Sequence, residues 1–388
     1  KMVRPRNADE EVLAEIWRQV LGLKEVSVEE NFFALGGDSI LSIQIVARAN
    51  QAGLKLTPKD VFRHQTIAGL AAASAAAGEP QQVKAEQGLL SGPAPLTPIQ
   101  HYFFAQQLPE PEHFNQSLLL RVHERLQLEQ LQGAVSAVVA QHDALRLQFA
   151  RTEQGWEQSY GEVYVPVEVV EAKDAAALTT ACERVQRSLR LESGGLLRVV
   201  LFETGAEQRL LLVAHHLVVD GVSWRIIVED LGRALAQLQS GEQVRLGRKT
   251  SSYRNWGERL VAYAESDTLQ AEQGYWEELA PYGAGELPVD ERGGENTIAT
   301  SRSVARQLEV AETRALLQEV PAAYRTQINE VLLTGLVEAV GGWSGGRQLL
   351  VDLEGHGRHD ELFAELDLTR TVGWFTNVYP VWLDLAGK

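Results

Sequence analysis

The stretch GEPQQVKAEQGLLSGPAP, residues 78–95, constrains the fold more than any other part of this 388-residue chain. It is rich in Gly, Pro and Gln and has no apolar period, so residues 79–95 read as a linker. Leu89 and Leu90 are apolar enough to dock on a neighbouring element. The sequence has a different texture on each side, so each side is expected to bury a core of its own.

The N-terminal side reads as helical. Val12, Leu13, Ile16, Trp17 and Val20 follow the i, i+3/i+4 spacing of an amphipathic helix. Asp9 and Glu10 suit its positive end. A second helix is expected from Ser39 to about Asn50, with Gly53 as a stop. Thr57 with Pro58 opens a third and Thr66 an alanine-rich fourth. Four short helices make a small all-α bundle.

Beyond residue 96 the pattern is mixed. LLRVVLFE (196–203) and RLLLVAHH (209–216) are strand-like and flank a Thr204-Gly205 turn, the mark of a hairpin. LEQLQGAVSAVVAQH (128–142) is helical. Strands interleaved with helices imply a larger α/β domain.

Bulk charge narrows the partners. The net charge of −16 argues against nonspecific binding to nucleic acid or to an anionic membrane surface. One cysteine, Cys182, excludes an intrachain disulfide framework and a multi-cysteine metal site. No apolar run approaches the ~20 residues of a membrane span. The N-terminal KMVRPRNADEE has no signal-peptide core. The expectation is a cytoplasmic chain with no membrane or nucleic-acid partner and no metal.

NFFALGGDSIL (31–41) places two glycines before a helix that begins near Ser39. Free N–H groups and the positive dipole end favour an anion there. The plain reading is that Asp38 or Ser39 caps the helix. The sharper one is that Ser39 carries a phosphodiester-linked group.

LLVAHHLVVDGVSW (211–224) ends an apolar run in two histidines. On a regular strand His215 and His216 point to opposite faces, which argues against joint metal ligation. Asp220-Gly221 suits a tight turn below the strand end. A buried Asp220 needs a cation, from His216 or an arginine.

These stretches resemble a known family. Residues 5–78, with GGDS at 36–39, look like a peptidyl carrier domain of a nonribosomal peptide synthetase. The resemblance implies 4′-phosphopantetheine attached covalently to Ser39, and Asp38 is the form that tends to precede an epimerization domain. HHxxxDG (215–221) resembles the signature of the condensation superfamily, whose two lobes each look like chloramphenicol acetyltransferase. In that family His216 would face the substrate tunnel. Asp220 would be structural, paired with an arginine whose position Arg146 matches in QHDALRL. LTPIQHYFF (96–104), GVSW (221–224), INEVLLTGL (328–336), EGHGR (354–358) and RTVGWFTNVYPV (370–381) resemble epimerization-domain motifs. Residues 96–388 would then be an epimerization domain. Family members continue past YPV with further motifs, so the resemblance implies an incomplete second lobe.

Inverting an α-carbon requires removal of one proton and return of another from the opposite face, with stabilisation of the enolate oxygen. The resemblance gives these roles to His216 and Glu354. Glu354 follows QLLVDL (348–353), which reads as a buried strand. A carboxylate at its end is either partly desolvated, with a raised pKa, or simply solvated. Arg358 is expected to anchor the loop rather than take protons, and His215 to point away.

The function implied is interconversion of L- and D-aminoacyl or peptidyl thioesters. The implied partners are an upstream adenylation domain, the next module's condensation domain and a phosphopantetheinyl transferase. The alternatives are amide-forming condensation and an inactive carrier or docking fragment.

Overall fold

The computed structural model describes residues 2–77, 85–163, 165–192, 194–205, 207–279, 287–295, 297–359, 362–363 and 365–385. Residues 79–84 of the expected linker lie outside the described residues. Contacts gather the chain into two units. The first holds Lys1–Glu29, Asp38–Ser266 and His356–Asn377; the second holds Glu30–Gly37, Asp267–Gly355 and Val378–Lys388.

The first unit begins with four helices: α1 (Ala8–Leu21), α2 (Ser39–Gln51), α3 (Pro58–His64) and α4 (Ile67–Ala76). Each starts where a side chain satisfies orphan N–H groups. Asn7 accepts from the Glu10 amide at 2.8 Å, and Thr66 accepts from Gly69 at 3.1 Å. Asp60 reaches back to the Thr57 amide at 2.8 Å. Gly22 ends α1 at φ 68°, a left-handed conformation that glycine adopts without steric cost. Leu13, Ile16 and Trp17 of α1 are buried, as their spacing requires.

The same unit continues with β1 (Gly92–Ala94), α5 (Pro98–Ala105), β2 (Asn115–Val122), α6 (Leu128–Gln141), β3 (Leu147–Thr152), β4 (Gly155–Tyr160) and β5 (Val167–Glu171). Then come α7 (Ala175–Gln186), β6 (Leu197–Glu203), β7 (Gln208–His215), α8 (Gly221–Gln239) and α9 (Tyr253–Ala264). One sheet has the order β1-β4-β3 and the other β2-β7-β6-β5. β6 and β7 form the expected antiparallel hairpin, with Glu203 opposite Gln208, while β5 runs parallel to β6.

The near-continuous apolar runs of β6 and β7 follow from burial on both faces. Val199, Leu201, Leu210 and Leu212 pack with α6 and α8 residues such as Val138 and Ile227. Val200, Phe202, Leu211 and Val213 pack with Val185 of α7 and with Leu189. Each such side chain contributes about 1.5–3 kcal/mol on burial. This central hairpin is the rigid support from which the two histidines emerge. Ile43 of α2 belongs to the same cluster as α6 and α8, and Arg225 of α8 donates to Gln44 at 3.3 Å.

The second unit contains the helix Ile328–Ser344, capped by Gly345 at φ 78°. It also contains the paired strands β8 (Gln348–Gly355) and, all but its first residue, β9 (Asn377–Asp384). Among the described residues no helix is long and apolar enough to cross a membrane.

Candidate functional site

β7 ends at His215, and His216 begins a 3₁₀ turn over His216–Val218. Strand alternation therefore stops one residue short of His216. Burial and partners separate the two histidines instead, for both rings lie against Phe114.

His216 is half-buried. Its amide donates to the Phe114 carbonyl at 2.9 Å. Its ring lies 5.4 Å from Phe114 at 29° and 4.6 Å from Trp374, so two aromatic faces hold the imidazole. Nε2 lies 2.7 Å from the Gln116 amide nitrogen. Trp374 is held in turn: Tyr253 donates its hydroxyl to the Trp374 carbonyl at 2.7 Å. Burial pushes the Tyr253 hydroxyl pKa upward, which keeps it a donor. Gln116 and Phe114 carry no signal in the sequence. β2 brings them beside β7, with Asn115 opposite His215, and nothing local marks that register.

His215 is fully buried. Its Nε2 donates to the Pro111 carbonyl at 2.8 Å, and Nδ1 accepts from the Leu217 amide at 3.2 Å. Burial pushes its pKa from 6.5 down to about 4. The folded chain thus holds His215 neutral while the unfolded chain protonates it near 6.5. Stability from this source is complete above the unfolded pKa and lost as pH falls toward about 4, by up to about 3 kcal/mol. Buried His142, also shifted downward by desolvation, acts in the same direction. Urea unfolding of wild type and His215→Gln over this acid range should give a shallower pH dependence for the variant. Parallel curves would contradict the assignment.

The expected Asp220–Arg146 pair is replaced by Asp220–Arg358. Arg358 is 2% exposed and places its terminal nitrogen 3.1 Å from both Asp220 oxygens. It also donates to the carbonyls of Leu368 and Thr371, at 3.0 and 2.6 Å, and lies 4.0 Å over the Phe375 ring. Asp220 caps α8 by accepting from the Ser223 amide at 2.7 Å, and it accepts from the Phe375 amide at 3.3 Å. One carboxylate thus ties the helix after His216 to the segment carrying Trp374. Ser223 adds a second tie, donating to the Gly373 carbonyl at 2.9 Å.

Arg146 has a nearer counter-ion. Asp143, three residues earlier on the same 3₁₀ turn, lies 2.5 Å away and also takes Lys249 at 2.7 Å. Arg146 donates further to the carbonyls of Leu90 and Gly161, bracing the chain before β1. Gly221 makes no tight turn. It is the exposed first residue of α8, with open space where a Cβ would stand.

The EGHGR motif straddles the two units: Glu354 and Gly355 belong to the second, His356 to Arg358 to the first. Gly357 has φ +66°, and a Cβ there would collide with the Phe375 carbonyl. Only glycine fits the approach that lets Arg358 reach Asp220. Glu354 is exposed on β8, which is the solvated one of the two alternatives, and the strand itself is not buried as expected. Among the described residues β8 has one neighbouring strand, and it alternates between exposed and half-exposed residues from Val351 to Gly355.

At the start of α2, Asp38 rather than Ser39 is the cap. Its Oδ1 accepts from the Leu41 amide at 2.7 Å. Ser39 is the first helical residue and is half-exposed. A Cβ on Gly37 would meet the ring of buried Phe32, which accounts for a glycine two residues before the serine. A hydroxyl at the positive end of a 13-residue helix suits a phosphodiester. Among the described residues no group of His, Cys, Asp and Glu is arranged to hold a metal ion.

Comparison with known proteins bears on this arrangement. The family model described as "Condensation domain" matches residues 91–388, and "Phosphopantetheine attachment site" matches residues 11–74. A linear gramicidin synthase protein of Brevibacillus parabrevis is 50% identical over 99% of this chain. Chondramide synthase of Chondromyces crocatus is 46% identical over 100% of it. The chain spans 5% and 10% of those two proteins' lengths. Among solved structures, the epimerization domain from the third module of tyrocidine synthetase B is 36% identical with a TM-score of 0.70, covering 78% of this chain and 69% of that one. The condensation domain of the Monacolin K polyketide synthase is 19% identical with a TM-score of 0.59, covering 77% and 69%. The first condensation domain of the calcium-dependent antibiotic synthetase is 21% identical with a TM-score of 0.57, covering 76% and 70%. The fold is thus a carrier domain followed by a two-lobed condensation-type α/β domain. The chain belongs to the condensation family of nonribosomal peptide synthetase domains, with an N-terminal carrier domain that bears covalently attached 4′-phosphopantetheine.

Proposed function

We propose that this chain is a carrier–epimerization pair that inverts the α-carbon of an aminoacyl or peptidyl thioester. The observation that carries the reading is the contrast in identity: 36% to an epimerization domain against 19% and 21% to two condensation domains, at similar coverage. Trp224 after Ser223, and EGHGR at 354–358, agree with it.

In this reading Ser39 is the attachment point. The phosphopantetheine arm, when bound, presents its cargo as a thioester, whose carbonyl acidifies the neighbouring C–H. A Glu354 carboxylate oxygen takes the α-hydrogen as a proton. His216, positioned by Phe114 and Trp374, returns a proton, so one leaves and one arrives and the composition is unchanged. Arg358 and Asp220 take no proton; they fix the helix and the strap on either side of His216. An upstream adenylation domain would load the arm, a phosphopantetheinyl transferase would install it, and the next module's condensation domain would accept the product.

Two measurements test this assignment. Incubation with a phosphopantetheinyl transferase and coenzyme A should add one arm to wild type by intact mass and none to Ser39→Ala. Equal gain by the variant would move the attachment site elsewhere. An L-aminoacyl thioester held by the wild-type protein in deuterated water should take up deuterium at the α-carbon. Amide formation with an acceptor and no exchange would favour condensation instead.

A further inference from the structure

We infer that Gln116 is a positioning residue for His216: locked by the indole of Trp224, its amide makes Nε2 of His216 a hydrogen-bond acceptor and so puts the neutral ring's proton on Nδ1. This rests on the proposed function only for its effect on the reaction.

Donor and acceptor chemistry alone fixes the orientation of the amide. An indole N–H can donate but never accept. Trp224 Nε1 lies 2.8 Å from Gln116 Oε1, so the amide oxygen must face the indole. The amide nitrogen then faces the other way, 2.7 Å from His216 Nε2. An amide nitrogen only donates, so Nε2 must present its lone pair. A protonated Nε2 would set two donors against each other at that distance. Turning the amide over relieves nothing, because its nitrogen would then face the indole N–H.

Each part of the relay is held in place. Gln116 sits within β2, paired opposite Ala214 of β7. Trp224 is buried in the first turns of α8, the helix that Asp220 caps. Phe114 and Trp374 flank the imidazole and oppose rotation of the ring. Trp224 therefore acts on the histidine through one intervening side chain, which gives the tryptophan after Ser223 a physical role. For the proposed reaction, the hydrogen that neutral His216 can donate lies on Nδ1.

Nitrogen NMR of protein carrying isotopically labelled histidine reads the tautomer directly. The His216 signals are those lost in His216→Asn. Above the ordinary imidazole titration range, wild type should show Nε2 at the lone-pair, pyridine-like position and Nδ1 at the protonated, pyrrole-like position. Gln116→Glu keeps the shape and an acceptor for Trp224 but turns a carboxylate toward Nε2, so Nε2 should move to the protonated position. Trp224→Phe frees the amide to turn, and the two signals should move toward each other. A wild-type ring protonated at Nε2 overturns the inference even if neither variant folds. An unchanged ring in a folded Gln116→Glu protein overturns it as well. No turnover is measured, so failure of the epimerase reading would leave this result standing, and the reverse holds too.

Discussion

Asp220→Ala should lower the stability of the folded chain by about 3–5 kcal/mol, the usual consequence of removing one partner from a buried ion pair. The loss has three sources. Arg358, 2% exposed, would keep a buried charge without its carboxylate. The α8 N-terminus would lose its cap, and the Phe375 amide would lose an acceptor. Arg358→Ala should cost a similar amount, and the double variant much less than the sum, because the two share one interaction. Arg146→Ala should instead add to Asp220→Ala, since Arg146 spends its charge on Asp143. Chemical denaturation of the three single variants and the two double variants measures this. Additivity of Asp220 with Arg358, or strong coupling of Asp220 with Arg146, would restore the pairing expected from the sequence.

His216→Ala and Glu354→Gln should each slow formation of D-product by ~10²–10⁴-fold, the range for loss of a positioned acid or base. The two variants should differ in stability. Glu354 is exposed, so its amide variant should unfold like wild type. His216 packs between Phe114 and Trp374, so its alanine variant also loses ring contacts. Chirality of the hydrolysed cargo, read beside urea unfolding, separates chemistry from folding. A Glu354→Gln protein that epimerizes normally would remove Glu354 from the mechanism. If each group serves one face only, one of the two variants should still exchange the α-hydrogen without inverting the centre.

Features governed by neighbours in sequence were legible. Caps such as Thr57 and Thr66, the glycine stop after α2 and the β6–β7 hairpin all follow from residues within a few positions. The carrier domain and the condensation-type domain were legible through resemblance. What depended on distant pairing was not. Asp220 and Arg358 are 138 residues apart, and nothing local told Asp220 which arginine would reach it. Gln116 meets His216 because β2 pairs with β7, a register that sequence spacing does not encode. QLLVDL reads as a buried strand because it is apolar, and of the two states open to Glu354 at its end the solvated one is found. Apolar residues make a strand, but burial needs covering elements on its faces, and among the described residues β8 has one strand partner and an exposed Glu354. Strand alternation points His215 away from His216, but alternation holds only while the strand continues, and β7 stops at His215.

Inversion of an α-carbon by this chain should be visible when equilibrium is approached from both sides. The carrier is loaded with an L-aminoacyl arm in one sample and its D enantiomer in another, and the cargo of each is hydrolysed at intervals and resolved by chirality. Both samples should converge on one L:D ratio, and free L- or D-amino acid mixed with Ser39→Ala protein should keep its configuration. Samples that keep the configuration with which they were loaded would contradict it.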